Sequence, residues 1–285
     1  MNKKHFALLI VCLFGVAIIV SACGGDGKTL PTDNSSLYYL LAQQQNEPVP
    51  EPIPSPSPTV SPDPEPEPEP TTEPEPTPVN PFAEAQEGDE VEFGNYPQTA
   101  DGEVQPIKWR VLSRDDDKKE LLAVSVNVLD SVRFDGDSSD WGNSEIRSWL
   151  NGDDFYNKVL DDGTAVFTEA EKSFIKPVVL TDVDMTESDN VFLLSGDWNG
   201  NGEANAYFAD DFARMCRAAE YAVANGVWVA PSGALTGIYA GNCLWWLRTA
   251  DTSKYVNYVL IAGNIGSNDV YFPNPGVRPA LWINL

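Results

Sequence analysis

Hydrophobic and polar positions change rhythm several times along this 285-residue chain, and each change marks a boundary. Residues 6–20 are an almost unbroken apolar run, followed by some 65 positions with no sustained apolar period. Residues 91–93 then alternate as a strand does, before the turn signal Gly94-Asn95-Tyr96-Pro97 that predicts a hairpin. Residues 107–112 and 121–129 read as strands joined by an exposed charged turn at 115–119. Ile146, Trp149 and Leu150 fall at helical spacing after Asn143-Ser144-Glu145, with Asn151-Gly152 as the stop. Thr168 and Glu171 form a capping-box pattern that opens a helix toward Ile175, and residues 191–194 read as a buried strand. Phe208, Phe212, Met215, Cys216, Ala219 and Val223 recur at intervals of three and four, which predicts one helix over 207–225 ending at Gly226. Strands are expected at 243–249, 255–261, 265–272 and 278–285. Short helices in the first half and strands in the second predict an α+β domain over residues 88–285.

The first apolar run has a specific reading. Lys3 and Lys4 precede it, and Val20-Ser21-Ala22-Cys23 closes it, so residues 1–23 have the layout of a secretory signal. The cysteine resembles that of a bacterial lipobox, which implies a diacylglycerol on Cys23 and cleavage before it. Two acyl chains give stable attachment where one is marginal, each buried methylene contributing about 0.8 kcal/mol. The alternative is an uncleaved anchor, for which 17 apolar positions sit at the lower limit of about 17–25. The membrane is thus the first expected partner, with the domain facing the exterior of a cell or outer membrane.

Residues 24–87 are expected to be a disordered spacer. Fifteen of the 23 prolines lie between 47 and 81, many alternating with glutamate. Proline removes donors and fixes φ, so this stretch favours an extended polyproline-II spacer, on the order of 100 Å long at about 3.1 Å per residue.

Charge and missing residue types narrow the chemistry. The net charge is −25, no Lys or Arg occurs from 29 to 107, and residues 91–285 hold 29 acidic and 15 basic side chains. Nucleic acid is an unsuitable partner, since phosphate contacts need clustered Lys and Arg. The only histidine, His5, lies in the signal, so a mature chain lacks the usual neutral-pH base and histidine-ligated zinc. Cys216 and Cys243 either form a disulfide in an exported protein or are buried thiols that never meet.

Three patterns are candidates for chemistry. Asp197, Asn199, Asn201 and Glu203, with Gly202 at the sixth place, match the opening of a calcium loop, although Phe208 stands where an EF-hand needs its bidentate Glu. The competing reading is an Asn-Gly turn. A weaker acidic loop spans 135–140. Paired carboxylates that hydrolyse glycosidic bonds would not need histidine, but the sequence singles out no pair. Eight tryptophans are many for such a domain. Most are expected in the core. Trp245 and Trp246 are adjacent in a strand and point to opposite faces, which leaves one free to look outward. Trp198, Asn199, Asn201 and Trp246 are the expected contact surface for an extracellular glycan or protein, because an aromatic face beside amides and carboxylates suits both.

The segments Phe93-Gly94-Asn95-Tyr96-Pro97-Gln98, Pro106 through Leu112, Ile146 through Asn151 with Phe155-Tyr156, Val191 through Ser195, Trp245-Trp246-Leu247-Arg248 and Gly276 through Ile283 resemble a bacterial domain family of unknown function found in secreted and surface proteins of anaerobic and gut bacteria. The resemblance spans about residues 88–285 and implies no activity. More distantly, Trp-Trp-Leu-Arg and the terminal Gly-Val-Arg resemble C-type-lectin-like and formylglycine-generating-enzyme (sulfatase-modifying) folds. That resemblance implies that Arg248 and Arg278 anchor core and terminal strands by hydrogen bonds, while surface loops bind. The cysteine spacing does not match those enzymes. A binding lipoprotein is therefore the expected function, with a carboxylate-pair hydrolase and a ligand-free envelope domain as alternatives.

Overall fold

The computed structural model describes residues 78–233, 237–273 and 275–285. Cys23, the signal and most of the proline-rich stretch lie outside the described residues. Within them, no helix is long and apolar enough to cross a membrane.

The domain is mixed, with short helices and mostly antiparallel sheet. Strands β1 (Glu90–Pro97), β2 (Val104–Asp115), β3 (Glu120–Ser125), β4 (Ile175–Lys176) and β8 (Ala280–Asn284) form a five-stranded sheet in the order β1-β2-β3-β8-β4. Strands β5 (Trp245–Ala250), β6 (Tyr255–Val259) and β7 (Ile265–Asp269) form a second, three-stranded sheet. In β2, Ile107, Trp109 and Val111 point inward while Lys108 points out, as a period of two dictates. A register shift between Val111 and Ser113 then lets Leu112 turn inward as well.

The expected turn at Gly94 is instead a bulge inside β1. The register shifts between Glu92 and Asn95, and Gly94 adopts φ +70° where a Cβ would strike Phe167. The reversal comes later, where the Gln98 amide donates to the Glu103 carbonyl at 2.9 Å. The ordered domain also begins before residue 88. Phe82 is fully buried and packs edge-on to Phe93 at 5.3 Å, so the last expected spacer residues belong to the core.

The helices are α1 (Glu145–Asn151), α2 (Glu169–Lys172), α3 (Glu203–Ala206), α4 (Asp211–Arg214) and α5 (Glu220–Ala224). Helix α1 forms as its pattern predicts, capped by Ser144 accepting from the Arg147 amide and burying Ile146 and Leu150. Asn151 at its end accepts from the Asn190 and Val191 amides and donates to the Val191 carbonyl, which pins the chain leading to the site. Helix α2 has both halves of its capping box but ends at Lys172, and Ile175 joins β4.

The single helix expected over 207–225 does not form. Met215 leaves the helical region, and the next residues run extended between Val128 and Asn242, giving α4 and α5 with a strand-like segment between them. The Arg217 carbonyl accepts from the Val128 amide at 2.9 Å, and the Ala219 amide donates to the Val128 carbonyl at 2.9 Å. Sheet-like pairing with two neighbours outweighs a weak local helical preference. Residues 191–194 are buried as expected, but only Phe192 pairs, exchanging two backbone hydrogen bonds with Ala280.

Candidate functional site

The candidate site is built on an irregularity in β5. Trp246 pairs with Tyr258 and Ala250 with Val256, so Leu247, Arg248 and Thr249 stand opposite Asn257 alone. Such a bulge redirects side chains out of the sheet's alternation. Arg248 is 3% exposed and uses its planar fork fully. Nη1 donates to the Leu193 carbonyl at 2.5 Å and to Glu203 Oε2 at 2.6 Å, while Nη2 and Nε grip Asp182 at 2.8 Å and 3.1 Å. Burial alone would lower the Arg248 pKa, but Glu203 and Asp182 outweigh it and raise the value above the ordinary one. Glu203 is fixed in turn, accepting from the Ser195 amide at 2.8 Å, while the Glu203 amide donates to Ser195 Oγ at 3.0 Å.

One turn away, residues 196–202 form a loop stiffened from within. Asp197 Oδ1 accepts from the Asn199 and Asn201 amides at 2.8 and 3.0 Å, and Oδ2 accepts from Asn201 Nδ2 at 2.9 Å. Asn205 Nδ2 donates to the Asp197 and Asn201 carbonyls. Gly202, at φ +88°, lies so close to the Gly196 backbone that a Cβ would fall 2.7 Å from its nitrogen. The donors around Asp197, led by the Asn201 side chain, hold its carboxyl below the usual range. The tip of this rigid loop presents Trp198, 68% exposed.

Two concavities meet at Asp182, the partner of Arg248. One, of 130 Å³, is lined by Asp182, Ser195, Asp197, Asn201 and Thr249. The other, of 250 Å³, is lined by Asp140, Trp141, Asp182, Asp184, Arg248 and Thr249. Asp182 and Thr249 belong to both. Trp141, in the wall of the second, is held by Asp189, which accepts from its Nε1 at 2.9 Å and from Arg147 Nε at 2.7 Å. Burial pushes the Asp189 carboxyl up despite those donors, and its side chain is sealed from solvent.

The expected site residues therefore divide. Trp198, Asn199 and Asn201 share one exposed loop, with Asn201 lining the smaller concavity. Trp246 is corrected, since it is fully buried, donates from Nε1 to the Val132 carbonyl at 3.1 Å and packs against Phe134 and Tyr258. Trp245 is equally buried against Phe208 and under Arg278, because both faces of this small sheet are covered. In the calcium set, Glu203 Oε2 accepts from Arg248, while Asp197 accepts from its own loop's donors as an Asn-Gly turn requires. No group of three or more Asp, Glu, Cys or His side chains able to hold a metal ion occurs among the described residues. In the acidic loop at 135–140, Asp135 caps the Asp137 and Ser138 amides.

Cys216 and Cys243 do meet, as free buried thiols, Cys243 Sγ donating to the Cys216 carbonyl at 3.4 Å and Cys216 Sγ to the Val126 carbonyl at 3.3 Å. Burial raises the Cys216 pKa, but the neighbouring Cys243 thiol and the Arg278 charge prevail and lower it, leaving Cys243 raised. Arg278 is a tie between strands, donating to the Ser125 and Arg214 carbonyls. No sequence signal marks Asp182, which lies in a polar stretch without period. Only its bidentate pairing with Arg248 reveals it.

Residues 118–285 match the family described as Domain of unknown function (DUF6273). The matched span takes in Arg248, Asp182 and the Trp198 loop, while β1 and β2 precede it. No curated protein and no solved structure matches the chain.

Proposed function

We propose that the chain, which belongs to the DUF6273 family, is a membrane-anchored bacterial surface lipoprotein, a reading supported by Val20-Ser21-Ala22-Cys23, and that its domain binds an extracellular glycan or protein, a reading supported by the geometry around Arg248. The supporting observation is Trp198, exposed at the tip of a loop fixed by its own hydrogen bonds and flanked by a concavity offering Asp182, Asp197, Asn201 and Thr249. An aromatic face supplies apolar area for a sugar ring or side chain, and the carboxylates, amide and hydroxyl supply directional contacts. A loop ordered before the ligand arrives avoids the entropic cost of ordering it on binding. The finer architecture we propose is C-type-lectin-like. The pairing of late β8 with early β3, and the loop-rich segment between α2 and β5, support it.

Glycan-array and mucin-binding measurements on the chain from Gly24 onward test the reading, with binding expected and the absence of binding to any polymer overturning it. Trp198→Ala is expected to weaken binding at least tenfold, equivalent to about 1.4 kcal/mol, while Tm stays put because the side chain is exposed. Chelation with EDTA is expected to leave binding unchanged, since Glu203 is occupied by Arg248.

The anchor is tested separately. Cys23→Ala is expected to abolish incorporation of labelled fatty acid and shift the protein from the membrane fraction to the soluble one. Retention of both label and membrane association would exclude lipidation at Cys23. The hydrolase reading draws on Asp140, Asp182 and Asp184 lining one concavity. It is the weaker one, because Asp182 is gripped by Arg248 and the carboxyl that burial drives up, Asp189, is walled off beneath Trp141 and Arg147.

A further inference from the structure

The strand-like segment that interrupts the expected helix has a chemical consequence beyond the binding site. Arg217 and Asn242 pair as an antiparallel bridge, so Cys216 and Cys243, one step away on either side, stand directly opposite each other. The Cys243 amide donates to the Cys216 carbonyl at 2.9 Å, and Cys243 Sγ lies 3.4 Å from that same carbonyl. Hydrogen-bonded opposite residues of an antiparallel pair hold their Cα atoms about 5.5 Å apart. A disulfide needs about 4.4–6.8 Å. At 4% and 0% exposure both residues are shielded from outside reagents.

We propose that Cys216 and Cys243 are a cross-strand oxidation site, joined as a disulfide when the chain folds in an oxidising compartment. The reaction is thiol–disulfide exchange with an external disulfide, such as oxidised glutathione or a thiol oxidoreductase. The thiolate of one cysteine attacks the external disulfide and displaces one thiolate from it. The second cysteine then attacks the resulting mixed disulfide and displaces the other. Two electrons pass to the external disulfide, its two sulfurs leave as thiols carrying the two cysteine protons, and one S–S bond remains in the domain. Because the folded domain buries both sulfurs, the exchange takes place before the segment 215–218 docks. The bond then ties that segment to the residues that lead into β5, and so to the strand that positions Arg248.

The test uses the full chain recovered from the periplasm or culture medium, alkylated in denaturant and digested without reductant. The expected product is a peptide pair linking Cys216 to Cys243 that dithiothreitol separates. The native protein's Tm is expected to fall in dithiothreitol, and that of the Cys216→Ser, Cys243→Ser double variant to ignore it. Complete alkylation of both cysteines, in protein refolded in the presence of oxidised glutathione, would overturn the proposal and requires no variant to fold.

Discussion

Replacing Arg248 with methionine is expected to destabilise the domain by about 3 kcal/mol, the lower end of the roughly 3–5 kcal/mol lost when one partner of a buried ion pair is removed. The lower end applies because the two carboxylates differ. Asp182 keeps 37% of its side chain exposed and is partly solvated once released, whereas Glu203 keeps 21% and depends more on the guanidinium. The Leu193 carbonyl loses its donor as well. Urea unfolding reads the effect as a lower midpoint with the slope m unchanged. Arg248→Lys should recover only part of the loss, since one ammonium cannot reproduce a fork that reaches Asp182, Glu203 and Leu193 together. Adding Glu203→Gln to Arg248→Met should recover stability by removing the orphaned charge. A cost below about 1 kcal/mol for Arg248→Met would mean that the cluster is a surface ion pair and not the support of the site.

Trp246→Ala is expected to cost about 3–5 kcal/mol, as much as Trp245→Ala. This result separates two pictures of the small sheet. If one face met solvent, one of the adjacent tryptophans would be nearly free to change. Here Trp246 fills the space between Phe134 and Tyr258, with ring centroids at 5.9 and 6.2 Å, and its Nε1 satisfies the Val132 carbonyl. Trp245 fills the other side, 4.8 Å beneath the Arg278 guanidinium, and its Nε1 donates to the Arg214 carbonyl. Thermal unfolding of both variants checks this, with Trp198→Ala as the exposed control. A small effect for Trp246→Ala alone would restore the open-faced sheet.

These contrasts show where the sequence was legible. The hairpin of β2 and β3 and helix α1 were readable because the signals are local. Alternation at Ile107, Trp109 and Val111 and the Ser144 cap need no knowledge of distant residues. The segment 207–225 misled because its apolar spacing fits a helix, while Val128 and Asn242, far away in sequence, supply the backbone partners that hold Arg217 and Ala218 extended. Trp246 misled for a related reason, since alternation states that two neighbours face opposite ways but not whether both sides are covered. Within the site, the Trp198 loop was visible as an Asn-Gly-rich turn. Its wall was not, because Asp182 and Arg248 meet across 66 positions of chain.

The placement of β8 sets an order in time. All six residues of β3 are buried, and Leu121, Ala123 and Val124 find their second neighbours in Ile283, Leu281 and Ala280. A chain emerging from the ribosome therefore carries an adhesive, half-paired strand until β8 has been made, and pairing at such separation is slow. If the chain crosses a membrane as proposed, that delay is an advantage. The five-stranded sheet would not close early around a segment still waiting to cross, because β8, the partner of β3, is made long after it.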